Sequence, residues 1–441
     1  MKKIDLLEGS VRKTILRFSI PTILGMAATQ LYTVADTMII GRFMDKYALG
    51  AVSNASTVLM IFLFISGGLE LGCGLLTASQ KPKLNQKELS GLIYNMLFWD
   101  LAVGLLAFGG GIWGMKQFLL LINTPSEIID AAMLYGCIYL LGLPFLMLYD
   151  LSRQIVISCG ESRVPLLVVL VSSVLNIILD LILVGPLGVV GAAAASVLAQ
   201  VLGCLFMLVY LRRTVLTCGF QLRFVEKRYF QDILQISIPN ALQQMAGTVM
   251  VLFKQGLLGT LGVAEIDGFA CANKLSALMM MPAYGLAQSL VVFIAQNHSV
   301  GAMDRVRSSI RETRNLILAY MSIVLLSCLM LNQQMLSLFT DDTAVVQCGA
   351  TLLAFESWTY VLTAMKHLQE AQLRGQMKMG LYLISNLMPI GMNIVCCLIL
   401  VPRFGYSGFY LSTFVSAPFS LLLAVALVKF SKGSTMDHTF M

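Results

Sequence analysis

Four polar side chains interrupt an apolar stretch near the start of the chain: Thr29, Tyr32, Thr33 and Asp36. Their spacing gathers them on one side of an α-helix. A second stripe, Ser172, Ser173, Asn176 and Asp180, repeats the pattern, and Ser196 and Gln200 follow one helical turn apart. A carboxylate left ionised at the centre of a bilayer costs about 2.5–3.5 kcal/mol on insertion scales. Either Asp36 and Asp180 lie near the outer interface and face water, or they sit within the spans, as the polar faces reaching inward behind each of them argue. A free aspartate titrates near ~3.9, so carrying a proton at neutral pH requires burial and a second carboxylate nearby.

Covalent chemistry is not indicated. The histidines are His298, His367 and His438, far apart in the chain, and no HExxH, GxSxG or GxxxxGK[ST] motif is present. The ten cysteines are scattered through apolar runs, and adjacent Cys396 and Cys397 read as small helix residues, so neither zinc nor a disulfide framework is expected. No cofactor is expected. Without a nucleotide-binding loop, an ion gradient is the available energy source. Glu70, Asp100, Lys254, Lys274 and Glu356 also fall in or near apolar runs. A lysine–glutamate pair in the second half is one reading of these, and snorkelling lysines are another.

The elements that position these groups follow from composition. Of 441 residues, 58% are hydrophobic and 12% charged, with a mean hydropathy of +0.82. A soluble domain carries about 25% charged residues, so the chain reads as an all-α polytopic membrane protein. Stretches able to cross a bilayer recur about twelve times, at roughly 15–38, 49–79, 88–114, 129–157, 164–184, 188–211, 230–258, 263–297, 307–332, 344–373, 378–401 and 405–429. The net charge of +7 is not a nucleic-acid footprint, because the basic residues sit between apolar runs. With alternating spans, Lys2, Lys3, Lys81, Arg163, Arg212 and Arg223 fall on one side, whereas Arg42, Lys46, Lys116 and Arg403 fall on the other. The fuller basic side faces the cytoplasm, which places both termini there in a multi-pass cell-membrane protein. The opening MKKIDLLEGSVRK lacks a small-residue cleavage site, so no removable signal is expected.

The chain also repeats itself. ILRFSIP at 15–21 returns as ILQISIP at 233–239, a separation of 218 (233 − 15). Asn176 with LILV at 181–184 returns as Asn393 with LILV at 398–401, and Gly188 and Gly191 return as Gly405 and Gly408. A duplicated unit of six helices follows. Because six is even, the copies are expected to be parallel repeats, with substrate moving between them. The expected division is a lobe over 1–211, a cytoplasmic linker over 212–228 and a lobe over 229–441. Pro21 and Pro239 hold equivalent early positions, and Pro21 is a candidate hinge. Asp36 and Asp180 correspond to Lys254 and Cys397, so the acidic set belongs to the first lobe.

FSIPTILGMAATQLYTVADTMIIGR at 18–42, AVSNAS at 51–56, SSVLNIILDLILVGPLGVVGAAAASVLAQ at 172–200 and AQNHSVGAMDRVR at 295–307 together resemble the MATE (multidrug and toxic compound extrusion) family. The resemblance implies two six-helix lobes around a V-shaped central cavity open alternately to each side. It implies exchange of H⁺ or Na⁺ for small organic compounds, often cationic and amphipathic. Asp36, Asn176 and Asp180 match the carboxylate set of a prokaryotic branch, and Ser196 stands where that branch often has threonine. The ion, including any Na⁺, would sit at these four residues, with Thr29, Tyr32, Thr33, Ser173 and Gln200 lining the substrate cavity. The stretch PNALQQMAGTVM lacks the acidic residue another branch carries there, and the loop SQKPKLNQKELSG departs from the family's usual turn. The expected partners are small organic substrates and membrane lipid, with no nucleic acid, and the expected state is a monomer. An alternative in the same superfamily is a flippase for a lipid-linked precursor, which Lys254 favours. A membrane receptor or enzyme would need a catalytic cluster or a soluble domain.

Overall fold

The computed structural model describes residues 4–44, 46–220, 226–258 and 263–433. Residues 221–225 of the expected linker, Arg223 among them, and the basic residues Lys2 and Lys3 lie outside the described residues. The first half contains α1 (Val11–Phe43), α2 (Lys46–Gln80), α3 (Gln86–Leu121), α4 (Ile129–Ser158), α5 (Arg163–Leu187) and α6 (Val189–Thr214). The second contains α7 (Lys227–Leu258), α8 (Val263–Ser299), α9 (Met303–Leu336), α10 (Thr343–Gly375), α11 (Met379–Phe404) and α12 (Ser407–Gly433). Each expected span corresponds to one helix. No strand occurs among the described residues.

Ten of these helices are long and apolar enough to cross a membrane; α7 and α10 fall short on that measure. Their polarity has a cause. α7 carries Asp232, Asn240, Gln243, Gln244 and Lys254, and α10 carries Glu356, Lys366, His367, Glu370 and Arg374. Both are as long as their neighbours, and much of this polar content is paired inside the protein, as described below.

Side-chain distribution is inverted relative to a water-soluble bundle. On α6 the buried face is Gly191, Ala192, Ala195, Ser196, Ala199 and Gly203, whereas Leu198, Leu202, Leu205 and Phe206 are exposed. Small residues let backbones approach where no hydrophobic effect drives association, and large apolar ones face hydrocarbon. Helix starts carry conventional signals. Asn85 Oδ1 accepts from the N–H of Lys87 and Glu88 at 3.1 and 2.9 Å, and Glu88 Oε2 accepts from Asn85 N–H at 3.0 Å, closing a capping box on α3.

The chain divides into two compact units, Met1–Asp5 with Ile20–Ala241 and Leu6–Ser19 with Leu242–Met441. In the first, α4 packs on α2, α3 and α6, and α5 packs on α6; in the second, α10 packs on α8, α9 and α12, and α11 packs on α12. The same wiring appears twice. The division differs from a cut at the linker by an exchange of helix ends. α1 divides just before Pro21, and α7 divides just after Pro239. Residues 6–9 join the second unit through Arg305, whose guanidinium donates to the carbonyls of Leu6, Glu8 and Gly9 at 3.2, 3.0 and 2.8 Å. Asn297 Nδ2 adds a bond to Leu6 O at 3.1 Å. The start of α7 joins the first unit, with Phe230 stacked on Trp99 at 4.3 Å between ring centres. A Cβ on Gly68 of α2 would meet Ala241 Cβ at 2.7 Å, so glycine permits that contact.

The duplication extends to backbone torsions. Gly188, between α5 and α6, has φ 56 and ψ −133; Gly405, between α11 and α12, has φ 57 and ψ −135. Each N–H bonds back one turn, to Val184 O at 2.9 Å and Val401 O at 2.8 Å. Only glycine adopts this conformation without strain. Gly188→Ala and Gly405→Ala are therefore each expected to cost about 1–3 kcal/mol. Thermal unfolding of detergent-purified protein checks this, with Gly185→Ala as the neutral control, since a Cβ at Gly185 meets nothing within 4 Å.

Candidate ion-binding site

The first unit brings the two acidic stripes together. α5 contributes Asn176 and Asp180, one turn apart and 2% and 0% exposed. α1 contributes Tyr32 and Asp36, both half-buried. The Asp36 and Asp180 carboxyls lie close enough to hydrogen-bond with each other. Tyr32 lies close enough to Asp36, Asp180 and Ser196 to interact with all three. Ser196 on α6 is buried, and Gln200 one turn later donates from Nε2 to the Tyr139 hydroxyl at 3.2 Å.

Asp36 Oδ1, both Asp180 oxygens, Asn176 Oδ1 and Nδ2, and Gln200 Oε1 are buried without a hydrogen-bond partner. Facing carboxylates do not satisfy one another, because an ionised carboxylate only accepts. A shared proton or a bound cation resolves that conflict. Leaving several buried polar atoms unsatisfied costs about 1–3 kcal/mol each.

The remaining sequence candidates are distributed around this cluster. Thr29 and Thr33 are exposed, and their hydroxyls donate to Gly25 O and Thr29 O at 3.1 and 3.0 Å. The first stripe thus splits into an inward pair and an outward pair. Ser173 is half-buried on α5, and Ser172 donates to Val168 O at 2.6 Å. Pro21 is buried inside α1, which runs through it as one helix. Among the described residues no group of three or more His, Cys, Asp or Glu could hold a metal ion. The set here is two carboxylates with neutral oxygens, which matches a monovalent cation better than a divalent metal.

Two residues were missed in the sequence. Tyr135 and Tyr139 on α4 lie near Asp36 and Tyr32, and Tyr135 also reaches Ser56 of α2. Their spacing of one helical turn inside an apolar span is the same signal that singled out Asp36. Two of the unplaced charges have partners, whereas Asp100 is buried with its Oδ2 lacking one. Glu70 pairs with Arg153 at 2.6 Å, and Lys254 Nζ donates to Thr413 Oγ1 at 3.1 Å. Among the described residues neither Lys254 nor Lys274 forms an ion pair with Glu356; the lysine–glutamate pair there is a different one, Lys366–Glu370 at 3.0 Å, not singled out in the sequence.

The MatE family model matches residues 21–182 and 236–399. The chain is 28% identical over 311 residues to “Probable multidrug resistance protein YpnP” of Bacillus subtilis, covering 69% of each protein. It is 22% identical over 435 residues to the multidrug export protein MepA of Staphylococcus saprophyticus, covering 96% of this chain and 94% of that one. Among solved structures, it is similar to an outward-facing multidrug resistance MATE family transporter of the MOP superfamily. That match has a TM-score of 0.87 and 21% identity, over 97% of this chain and 98% of that chain. A MATE structure in the bent conformation matches with a TM-score of 0.89 at 21% identity, over 99% of both chains.

Asn176 gives a direct measure of how far this cluster serves folding. Its amide has no partner, so Asn176→Leu removes an unsatisfied group at little change in volume. Thermal stability is expected to stay level or rise, by up to about 1–3 kcal/mol. A clear loss of stability in the same unfolding assay would assign Asn176 to packing instead.

Proposed function

The chain belongs to the MatE family, and we propose that it is a cell-membrane multidrug exporter that exchanges H⁺ or Na⁺ for small organic, cationic and amphipathic compounds. The observation that carries this reading is the pair of facing carboxyls, Asp36 and Asp180, surrounded by buried oxygens without partners. Relatives named for multidrug resistance and multidrug export support the substrate class.

The coupling follows from charge. With the site empty, two carboxylates face each other in apolar surroundings and attract any available cation. A proton shared between them, or Na⁺ held by Asp36, Asp180, Asn176 and Ser196, lowers that charge. A cationic substrate in the same lobe gains from the carboxylates only while neither ion is bound. Substrate and ion therefore exclude each other, and reciprocal linkage of that kind is what an antiporter requires. Tyr32, Tyr139 and Gln200 orient the cluster and supply uncharged hydrogen-bonding groups toward the substrate. Pro21 removes one backbone donor from α1, leaving a place where the helix can bend as charge comes and goes. The basic-residue asymmetry favours cytoplasmic termini, and an inward H⁺ or Na⁺ gradient would then drive export outward. The lipid-linked precursor reading would rest on Lys254, whose bond to Thr413 is an ordinary neutralising contact, and the paired carboxyls favour the exporter.

Two measurements test this. Dye efflux from vesicles, with pH and Na⁺ gradients imposed separately, is expected to respond to at least one gradient and to disappear in a folded Asp180→Asn variant. Normal efflux by that variant would remove Asp180 from the coupling. Substrate binding by purified protein from about pH 5 to about pH 9 is expected to weaken toward low pH, and Asp36→Asn is expected to flatten that dependence.

A further inference from the structure

The second unit holds a polar cluster of opposite sign. Lys366, Glu370 and Arg374 stand one turn apart on α10, one carboxylate between two cations. Glu370, 4% exposed, is fully engaged: it meets Lys366 Nζ and His367 Nδ1 at 3.0 Å each and accepts from Ser385 Oγ at 3.3 Å. Lys366 also donates to Asn386 Oδ1 at 3.2 Å. Arg374 is 6% exposed and forms no ion pair among the described residues. Its Nη1 donates to the neutral amide of Gln288 at 2.8 Å, its guanidinium lies 5.3 Å from the Tyr382 ring centre, and its Nε has no acceptor. The buried cluster thus carries one positive charge more than it neutralises.

A cavity adjoins that charge. It is lined by Arg374, Gln243, Tyr284, Gln288, His367 and Tyr382 as well as Glu370, and its volume is about 20 Å³. A space of roughly 10–15 Å³ or more holds one water-sized particle. Tyr284 accepts from Gln288 Nε2 at 2.9 Å, which leaves its own O–H to donate. Gln243 Oε1 accepts from the Tyr382 hydroxyl at 3.1 Å, which leaves its amide N–H groups to donate. A guanidinium, a phenol and a carboxamide around a one-particle cavity are the complement of a small anion.

The internal repeat sharpens the contrast. In the first unit Glu70 pairs with Arg153 at 2.6 Å, and Asp150 lies 3.5 Å from the same guanidinium. Residue 70 corresponds to Gln288, 218 positions on, and residues 150 and 153 correspond to His367 and Glu370, 217 positions on. Gln288 thus stands where the first copy has a carboxylate, while Glu370 stands where it has Arg153, and the guanidinium that meets Gln288 comes from Arg374, one turn further along α10. We propose that the cavity beside Arg374 binds a small monovalent anion of chloride size, which supplies the negative charge that Gln288 lacks.

Thermal unfolding of the purified, detergent-solubilised full chain tests this, in chloride or formate against gluconate, which is too large for the cavity. Wild type is expected to be stabilised saturably by chloride and formate. Chloride at about 100 times its Kd should favour the folded form about 100-fold. Arg374→Gln should lose the response. Gln288→Glu, which attaches a carboxylate beside the guanidinium, should be insensitive to chloride and stable without it. Asp36→Asn should keep the full response, separating this site from the coupling site. Equal stability of wild type in chloride and gluconate would overturn the proposal, as would an undiminished chloride response in Gln288→Glu.

Discussion

An ionised side chain inside hydrocarbon must be given a counter-charge, a proton or an ion, because water is not there to solvate it. That constraint organises the interior of both units. Arg153 is answered by Glu70, and Lys366 by Glu370, each pair joining partners where the surrounding helices are apolar. Asp36 and Asp180 differ from these pairs: they are brought face to face with no basic residue between them. In the exchange proposed above, it is this pair that a proton or a cation would neutralise. Packing follows the same logic, with small residues where helices touch and large apolar ones where they meet lipid.

Duplication supplies the scaffold, and divergence supplies the chemistry. α4 and α10 occupy the centres of their units with equivalent neighbours, and the glycine turns at 188 and 405 match in both torsions. Within that shared frame the charges differ. The first copy concentrates carboxylates near α4, and the second concentrates basic groups on α10. One fold thereby offers two electrostatic environments, which two identical halves would not provide.

Much of this could be read from the chain itself. Hydropathy located twelve helices, because the requirement for about 20 apolar residues is nearly independent of tertiary context. The repeat was visible in ILRFSIP and ILQISIP, and Gly188 and Gly405 lay in its register. Residues of the carboxylate cluster were legible because a charge in an apolar run stands out. Tyr135 and Tyr139 were not, since tyrosine is amphipathic and common in spans, so only proximity to Asp36 gives it meaning. The exchange of helix ends was equally hidden. Nothing in the local sequence of α1 or α7 says which body its first turns will join, because those contacts are made with residues far away in the chain.

The clasp on residues 6–9 has a consequence for how the protein is made. These residues are synthesised well before the guanidinium that holds them, which belongs to Arg305, 296 to 299 positions later. At ~5–20 residues per second, the ribosome needs on the order of 15–60 s to reach it. Throughout that interval the carbonyls of Leu6, Glu8 and Gly9 lack their final donor, and the opening of the first helix cannot be locked. The amino-terminal half is thus inserted before it is finished, and its completion waits on the ninth helix.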